Sequence, residues 1–235
     1  MQKVLSLLPL AVQNIFNPLP TYPTTDISTI MKFPSNPDWK PIFTQAVSQQ
    51  PVTFFQLATV SEPLVPKCRT LTFAGFLGEA PYSPDSTIPA TSRNPTDITS
   101  AVILAASDAR SKKISHDLNI STKAEGVFFL PALWTQFRVR GNYYPISPGA
   151  QHGELESRGR KAAELHMGIP EGETFDWDKE LLKIWEKQNP TTIKAKFPPP
   201  TEEEPVPRDF RLIILVPDEI EQLGAGDGTL LTWKL

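Results

Sequence analysis

Hydrophobic positions along the chain change their period several times, and each change marks an element. From Trp39 onward, Trp39, Ile42, Phe43, Ala46 and Val47 recur at three- and four-residue intervals. That spacing predicts an amphipathic helix that opens at Asn36-Pro37-Asp38 and runs through Gln50. The period then shortens. Val52 to Val60 and Val65 to Leu77 are rich in β-branched and aromatic residues and flank a Ser61-Glu62-Pro63 turn, so both are predicted as strands. In the second, Arg69, Leu71 and Phe73 share one face and Thr70 and Thr72 the other. Ala101 to Ala106 is a short continuous apolar run, the pattern of a buried strand, followed by a short helix through Leu118. Ala124 to Leu130 and Gln136 to Tyr144 predict two more strands. The second alternates, with Phe137, Val139 and Gly141 on one side and Arg138 and Arg140 on the other. Glu154 to Met167 and Asp178 to Gln188 read as helices, and Phe210 to Val216 and Thr229 to Leu235 as closing strands.

Strands follow strands instead of alternating with helices, which argues for an antiparallel α+β barrel with peripheral helices and against a parallel doubly wound sheet. The breaks between elements are marked by proline, with 25 prolines against 12 glycines in 235 residues. Residues 1–35 are expected to form an irregular N-terminal extension and residues 36–235 the folded domain. Within it, 78–97 reads as a loop insertion and 189–209 as a proline-rich connector. The start, Met1-Gln2-Lys3 and then Val4 to Val12, has the outline of a signal peptide. Pro9 interrupts it and no small-x-small cleavage site follows, so a cytoplasmic location is expected.

Charge and composition remove several functions. A net charge of −3 supplies no general basic field for nucleic acid or an anionic membrane, and no apolar run is long enough to span a bilayer. Cys68 is the only cysteine and the three histidines are not spaced as metal ligands, so neither a disulfide framework nor a zinc site is expected. The glycine-rich phosphate loops, the nucleophile elbow and the HExxH helix are all missing.

What remains points to an anion. At the end of the buried strand, Ser107-Asp108-Ala109-Arg110-Ser111-Lys112-Lys113 combines a capping candidate with two lysines in a first helical turn. Lysine there opposes the helix dipole, a conflict that a bound anion would relieve; the plain alternative is a solvated basic turn. Arg69 sits among apolar neighbours in a strand, so its guanidinium needs a partner, and its fork suits a phosphate. Gln136 opens an alternating strand and has the donors and acceptors to meet a heterocycle.

These segments together resemble a known family. Phe55 to Val60, then Arg69-Thr70-Leu71-Thr72-Phe73, then Ser107 to Lys113, then Gln136-Phe137-Arg138-Val139-Arg140-Gly141 are similar to the FMN-binding, pyridoxamine 5′-phosphate oxidase-like proteins, closest to their Alr4036-type branch. Arg208 to Leu212 and on to Leu223 resembles that branch's closing strand and turn. The resemblance implies an antiparallel six-stranded split β-barrel and a homodimer with FMN at the subunit interface. It also implies a set of cofactor contacts. Arg69 and the backbone of Thr70, Leu71 and Thr72 would run along the flavin, and Ser107, Ser111, Lys112 and Lys113 would take the phosphate. Gln136 would reach in from the partner subunit.

The departures are specific. Ala74 stands where the family carries a basic residue, and the C-terminal Arg-x-His substrate motif of the oxidases has no counterpart between Gly226 and Leu235. Oxidation of vitamin B6 is therefore disfavoured. The expected function is that of an FMN-dependent oxidoreductase on another small molecule, its catalytic residues unassigned. The alternative is a non-catalytic dimer that binds partners through its proline-rich segments.

Overall fold

The computed structural model describes residues 34–235 except 116, 150, 151 and 225, so most of the expected N-terminal extension, and His116, lie outside the described residues. In chain order the elements are α1 (Trp39–Ser48), β1 (Phe54–Ser61), β2 (Val65–Thr72), β3 (Gly75–Phe76), β4 (Thr99–Ser100), β5 (Ile103–Asp108) and α2 (Lys112–Ser115). There follow β6 (Lys123–Leu130), β7 (Thr135–Ile146), α3 (Glu154–Glu164), β8 (Met167–Gly168), α4 (Trp177–Glu186), β9 (Phe210–Gly224) and β10 (Leu230–Lys234).

The main sheet is antiparallel, with order β2-β1-β6-β7-β9-β5-β3 and β10 added to β9. The resemblance implied six strands and the main sheet has eight among the described residues; the hydrophobic pattern marks seven of them, β10 included, and misses β3. The predicted strand Val65 to Leu77 divides at Phe73-Ala74 into β2, which pairs with β1, and β3, which pairs with β5. Residues 65–76 thus supply both ends of the strand order. Ala74 N–H donates to Leu104 C=O at 2.9 Å and brings the sheet back toward its own edge. The closing strand predicted over Thr229 to Leu235 is found as β10, paired with β9. β9 is far longer than its apolar run: Phe210 to Leu215 pair with β5, and Glu219 to Leu223 pair with β10. On one edge β9 thus changes partner from β5 to β10, while β7 follows its other edge throughout, as suits an α+β split barrel.

Alternation decides what faces inward. On β7, Phe137 and Val139 are buried while Arg138 and Arg140 are half-exposed, the latter among Glu125, Glu219 and Glu221. At Gly141, where β7 shifts register against β9, a Cβ would stand 2.0 Å from Val216 O, so only glycine fits. Helix α1 closes the barrel with its apolar stripe. Trp39 and Phe43 are fully buried, and Phe43 meets Phe128 and Phe137 edge-on at centroid distances of 5.0 and 5.3 Å.

The second apolar cluster lies beneath α4 and the outer faces of β5 and β9, with Leu104, Leu181, Trp185, Phe210 and Leu212 buried. Helix α4 is capped by Asp176, whose carboxylate accepts from Asp178 N at 2.9 Å and Lys179 N at 3.2 Å. Helix α3 stops at Glu164, short of the predicted Met167, because Met167 and Gly168 pair with β4. Residues 78–97, read as an insertion, are pinned to α4. Gly78 N donates to Glu180 Oε1 at 3.2 Å, and Asn94 exchanges two 2.9 Å bonds with the Asp176 backbone.

Candidate functional site

Where β2 leaves the sheet, it and β5 diverge, and a cavity of about 860 Å³ opens between them. The size falls within the usual range for small-molecule sites. Its floor is apolar, formed by Leu71, Phe73, Ala74 and Ala106; Thr70 and Thr72 border it on the outer side of β2. The opposite wall comes from the end of α4 and the residues after it, including Ile184, Lys187, Ile193 and Phe197.

One end of the cavity is cationic. Lys113, in α2, is only 8% exposed, and its ammonium donates to Ser111 Oγ at 3.2 Å. It forms no ion pair among the described residues. Burial, and after it the nearby Arg69 charge, pull its pKa below the usual lysine range. Asp108 lines the same end, but Arg110 grips its carboxylate with contacts of 2.6 to 3.1 Å and holds its pKa low. Beside them Ser107 Oγ is buried with no hydrogen-bond partner. A buried ammonium without its own carboxylate, next to an orphan hydroxyl, presents an unmet demand for an acceptor with negative charge.

Arg69 meets a different fate. Its Nη1 donates to Thr59 Oγ1 at 2.6 Å and its Nη2 to Asp117 Oδ2 at 2.7 Å, while Thr59 Oγ1 donates to Asp117 at 3.0 Å. The guanidinium is thus neutralised by a carboxylate 48 residues away and does not line the cavity, although its charge reaches Lys113. Tyr143 completes this cluster: its hydroxyl donates to Lys113 C=O at 3.1 Å, and burial raises its pKa.

Of the nine candidate residues, then, Thr70, Leu71, Thr72, Ser107, Ser111 and Lys113 line one cavity. Arg69, Lys112 and Gln136 do not. Lys112 is exposed, and Gln136 belongs to the outer face of the sheet. The strand registers set Gln136 in a row with Phe54, Phe129, Leu223 and Leu230. Phe54, Phe129 and Leu230 are 54%, 46% and 58% exposed, and Val52 at the cavity rim is 49% exposed. An apolar band therefore leads from the cavity mouth across the sheet to Gln136.

Sequence reasoning missed two parts of the wall. Gln50 and Thr53, at the approach to β1, line the cavity, and Gln50 Nε2 and Thr53 Oγ1 are buried without partners. No local signal marks them. The segment from Lys187 to Phe197, read largely as connector, is a fixed wall. Asn189 Oδ1 accepts from Thr191 and Thr192, Lys194 donates to Glu186 C=O at 3.0 Å, and Phe197 packs on Trp185. Arg110 ties this wall to the cationic turn by donating to Lys196 C=O at 2.9 Å. The Asn189-Pro190-Thr191-Thr192 turn chemistry was the available clue.

Among the described residues no group of three or more metal-ligating side chains gathers, and no helix is long and apolar enough to cross a membrane. Residues 36–147 match the family described as pyridoxamine 5′-phosphate oxidase, FMN-binding domain; the match does not single out the Alr4036-type branch. No curated protein matches the chain. Among solved structures, the fold is similar to that of a pyridoxamine 5′-phosphate oxidase-related, FMN-binding protein from Nostoc punctiforme. That likeness has 19% identity and a TM-score of 0.53, covering 85% of this chain and 97% of that one. General Stress Protein 26 from Bacillus anthracis aligns at 16% identity and a TM-score of 0.44, over 85% of this chain and 100% of its own.

Proposed function

We propose, from the match of residues 36–147 to the family described as pyridoxamine 5′-phosphate oxidase, FMN-binding domain, that the cavity beside β2 holds FMN and that the protein is a flavin-dependent oxidoreductase acting on a small molecule. The observation that carries this reading is the buried Lys113 ammonium, without a carboxylate of its own and beside the unpartnered Ser107 Oγ. A phosphate would satisfy both, through charge-assisted bonds from Lys113 and a neutral one from Ser107, with Ser111 alongside. Arg69 contributes its field from behind Asp117. The apolar floor, Leu71, Phe73 and Ala106, suits a flat ring and excludes water from it.

FMN supplies the redox chemistry when bound, and the protein's part is to position it and shape its electrostatics. The reading extends to a homodimer. The apolar band from Val52 and Phe54 to Phe129 and Leu230 would be covered by a second copy, and Gln136, lying in that band, would be carried toward the partner's cavity. The substrate is a small molecule other than pyridoxamine phosphate, since Ala74 adds no charge to the floor.

A non-catalytic reading has one observation in its favour. Asp108, the carboxylate among the lining residues, is already engaged by Arg110 and is poorly placed to move protons. Flavin bound without turnover of any electron donor or acceptor would select that reading. The direct test of the first is the visible spectrum of the purified protein, with FMN titration followed by fluorescence quenching. Saturable binding is expected, and no binding up to about 100 µM would end the proposal. Sedimentation tests the dimer: Phe129→Asp should shift a two-chain species to one chain.

A further inference from the structure

The cavity has a second set of unmet polar groups at the end away from Lys113. Thr53 is 5% exposed, and its Oγ1 is buried and lacks a partner; the same holds for the Nε2 of Gln50. Thr53 C=O accepts from Phe73 N–H at 2.9 Å, which fixes this pair beside Phe73 on the segment leaving β2. The Lys113 ammonium instead belongs to the Asp108 end of β5, bonded to Ser111 Oγ whose own N–H donates to Asp108 C=O, whereas Ala74, next to Phe73, bonds to Leu104 on that same strand. Four residues of extended chain separate the two places, roughly 13 Å at about 3.3 Å per residue. Leu71 and Ala106 lie between, both apolar.

Lys187 lines the same cavity, and its Nζ donates to Pro81 C=O at 2.8 Å. Pro81 follows Ala80, which packs against Gly75, so this ammonium also sits toward the Phe73 end. One of its three protons is spent on Pro81 and two remain. The distal end thus offers a hydroxyl that can donate or accept, an amide N–H₂ and a cation, and no carboxylate lines it.

A phosphate is already provided for at the other end, and these groups differ from it in kind. We propose that Gln50, Thr53 and Lys187 recognise the pyrimidine edge of the flavin, whose two carbonyl oxygens and imide N–H require donors and one acceptor. This rests on the FMN reading above. It makes the cavity two-ended, with charge selection for phosphate at Lys113 and hydrogen-bond selection for the ring roughly 13 Å away. Burial of Lys187, which lowers its pKa, strengthens its interaction with a carbonyl oxygen.

The experiment compares three probes: FMN, riboflavin, which lacks the phosphate, and lumiflavin, which also lacks the ribityl chain. In Gln50→Leu/Thr53→Val, all three dissociation constants are expected to rise together, by about three- to tenfold per lost bond. In Lys113→Met only that of FMN should rise, by about tenfold or more. Thr53→Ser keeps the hydroxyl and should restore binding to the Thr53→Val protein, which separates recognition from misfolding. Lys187→Met should lower the reduction potential of bound FMN, since the ammonium favours the more electron-rich reduced ring. Unchanged riboflavin and lumiflavin binding in the double variant, or a loss confined to FMN, overturns the assignment while leaving the FMN reading intact. Wild-type protein that binds none of the three overturns both.

Discussion

Two lysines in this molecule are buried to a similar degree and do opposite things. Lys183, in the middle of α4, is 1% exposed, and its ammonium meets Glu180 at 2.7 Å; Glu180 is itself fully buried and accepts from Gly78 N. Lys113 is 8% exposed and has a serine hydroxyl for company. The α4 pair is closed on itself and ties residues 78–97 to the helix. The α2 lysine is left open at the end of a cavity. Burial of a charge therefore does not identify a site by itself. What identifies it is burial without a counter-charge, at a place where a ligand can arrive.

The comparison breaks most visibly at Glu180. Glu180→Gln leaves Lys183 buried without its carboxylate, and unfolding free energy from urea titration is expected to fall by about 3–5 kcal/mol. Lys113→Met should not destabilise the protein at all, because it removes an uncompensated buried charge.

A third buried base sharpens the contrast through pH. Burial pushes the His166 pKa down to about 4, with Asp218 opposing the shift only weakly. The unfolded imidazole titrates near 6.5, so the unfolded chain binds the proton first as the pH falls. Stability is therefore full above about pH 6.5 and declines by about 3 kcal/mol by pH 4. His166→Asn should flatten that part of the urea-midpoint profile.

Next in size is ligand binding. Lys113→Met is expected to weaken FMN by about 1.5–3 kcal/mol in a fluorescence titration, and Lys183→Met, outside the cavity, to change it little. The smallest effect is expected at Arg110. Arg110→Met releases Asp108 to face Lys113 and frees the Lys196 carbonyl, so FMN affinity should drop by less than in Lys113→Met, with an increased dependence on salt.

Much of the architecture was legible before any coordinates. The Phe137/Val139 against Arg138/Arg140 alternation predicted β7, and the stripe from Trp39 to Val47 predicted α1, because both are local statements about period. β3 was hidden inside a longer apolar run, since the break at Phe73-Ala74 depends on Leu104 offering its carbonyl from another strand. β9 extends past its apolar residues because β7 and β10 pair with its polar half. The site divided in the same way. Ser107, Ser111 and Lys113 could be gathered because they are neighbours in sequence. Gln50, Thr53 and Lys187 could not, being brought to the cavity from elements far apart in the chain.

The order of amino acids alone determined where helix and strand periods begin, the antiparallel class that follows from consecutive strands, and a basic turn after a buried strand. Only the tertiary structure decided which cation stays available. Arg69 was as good a phosphate candidate as Lys113 until folding set Asp117 against it and left Lys113 without an acid. Charge neutralisation acts over a few ångströms of space, whatever the number of residues between the partners, so it is settled by the packed fold and is invisible to any reading along the chain.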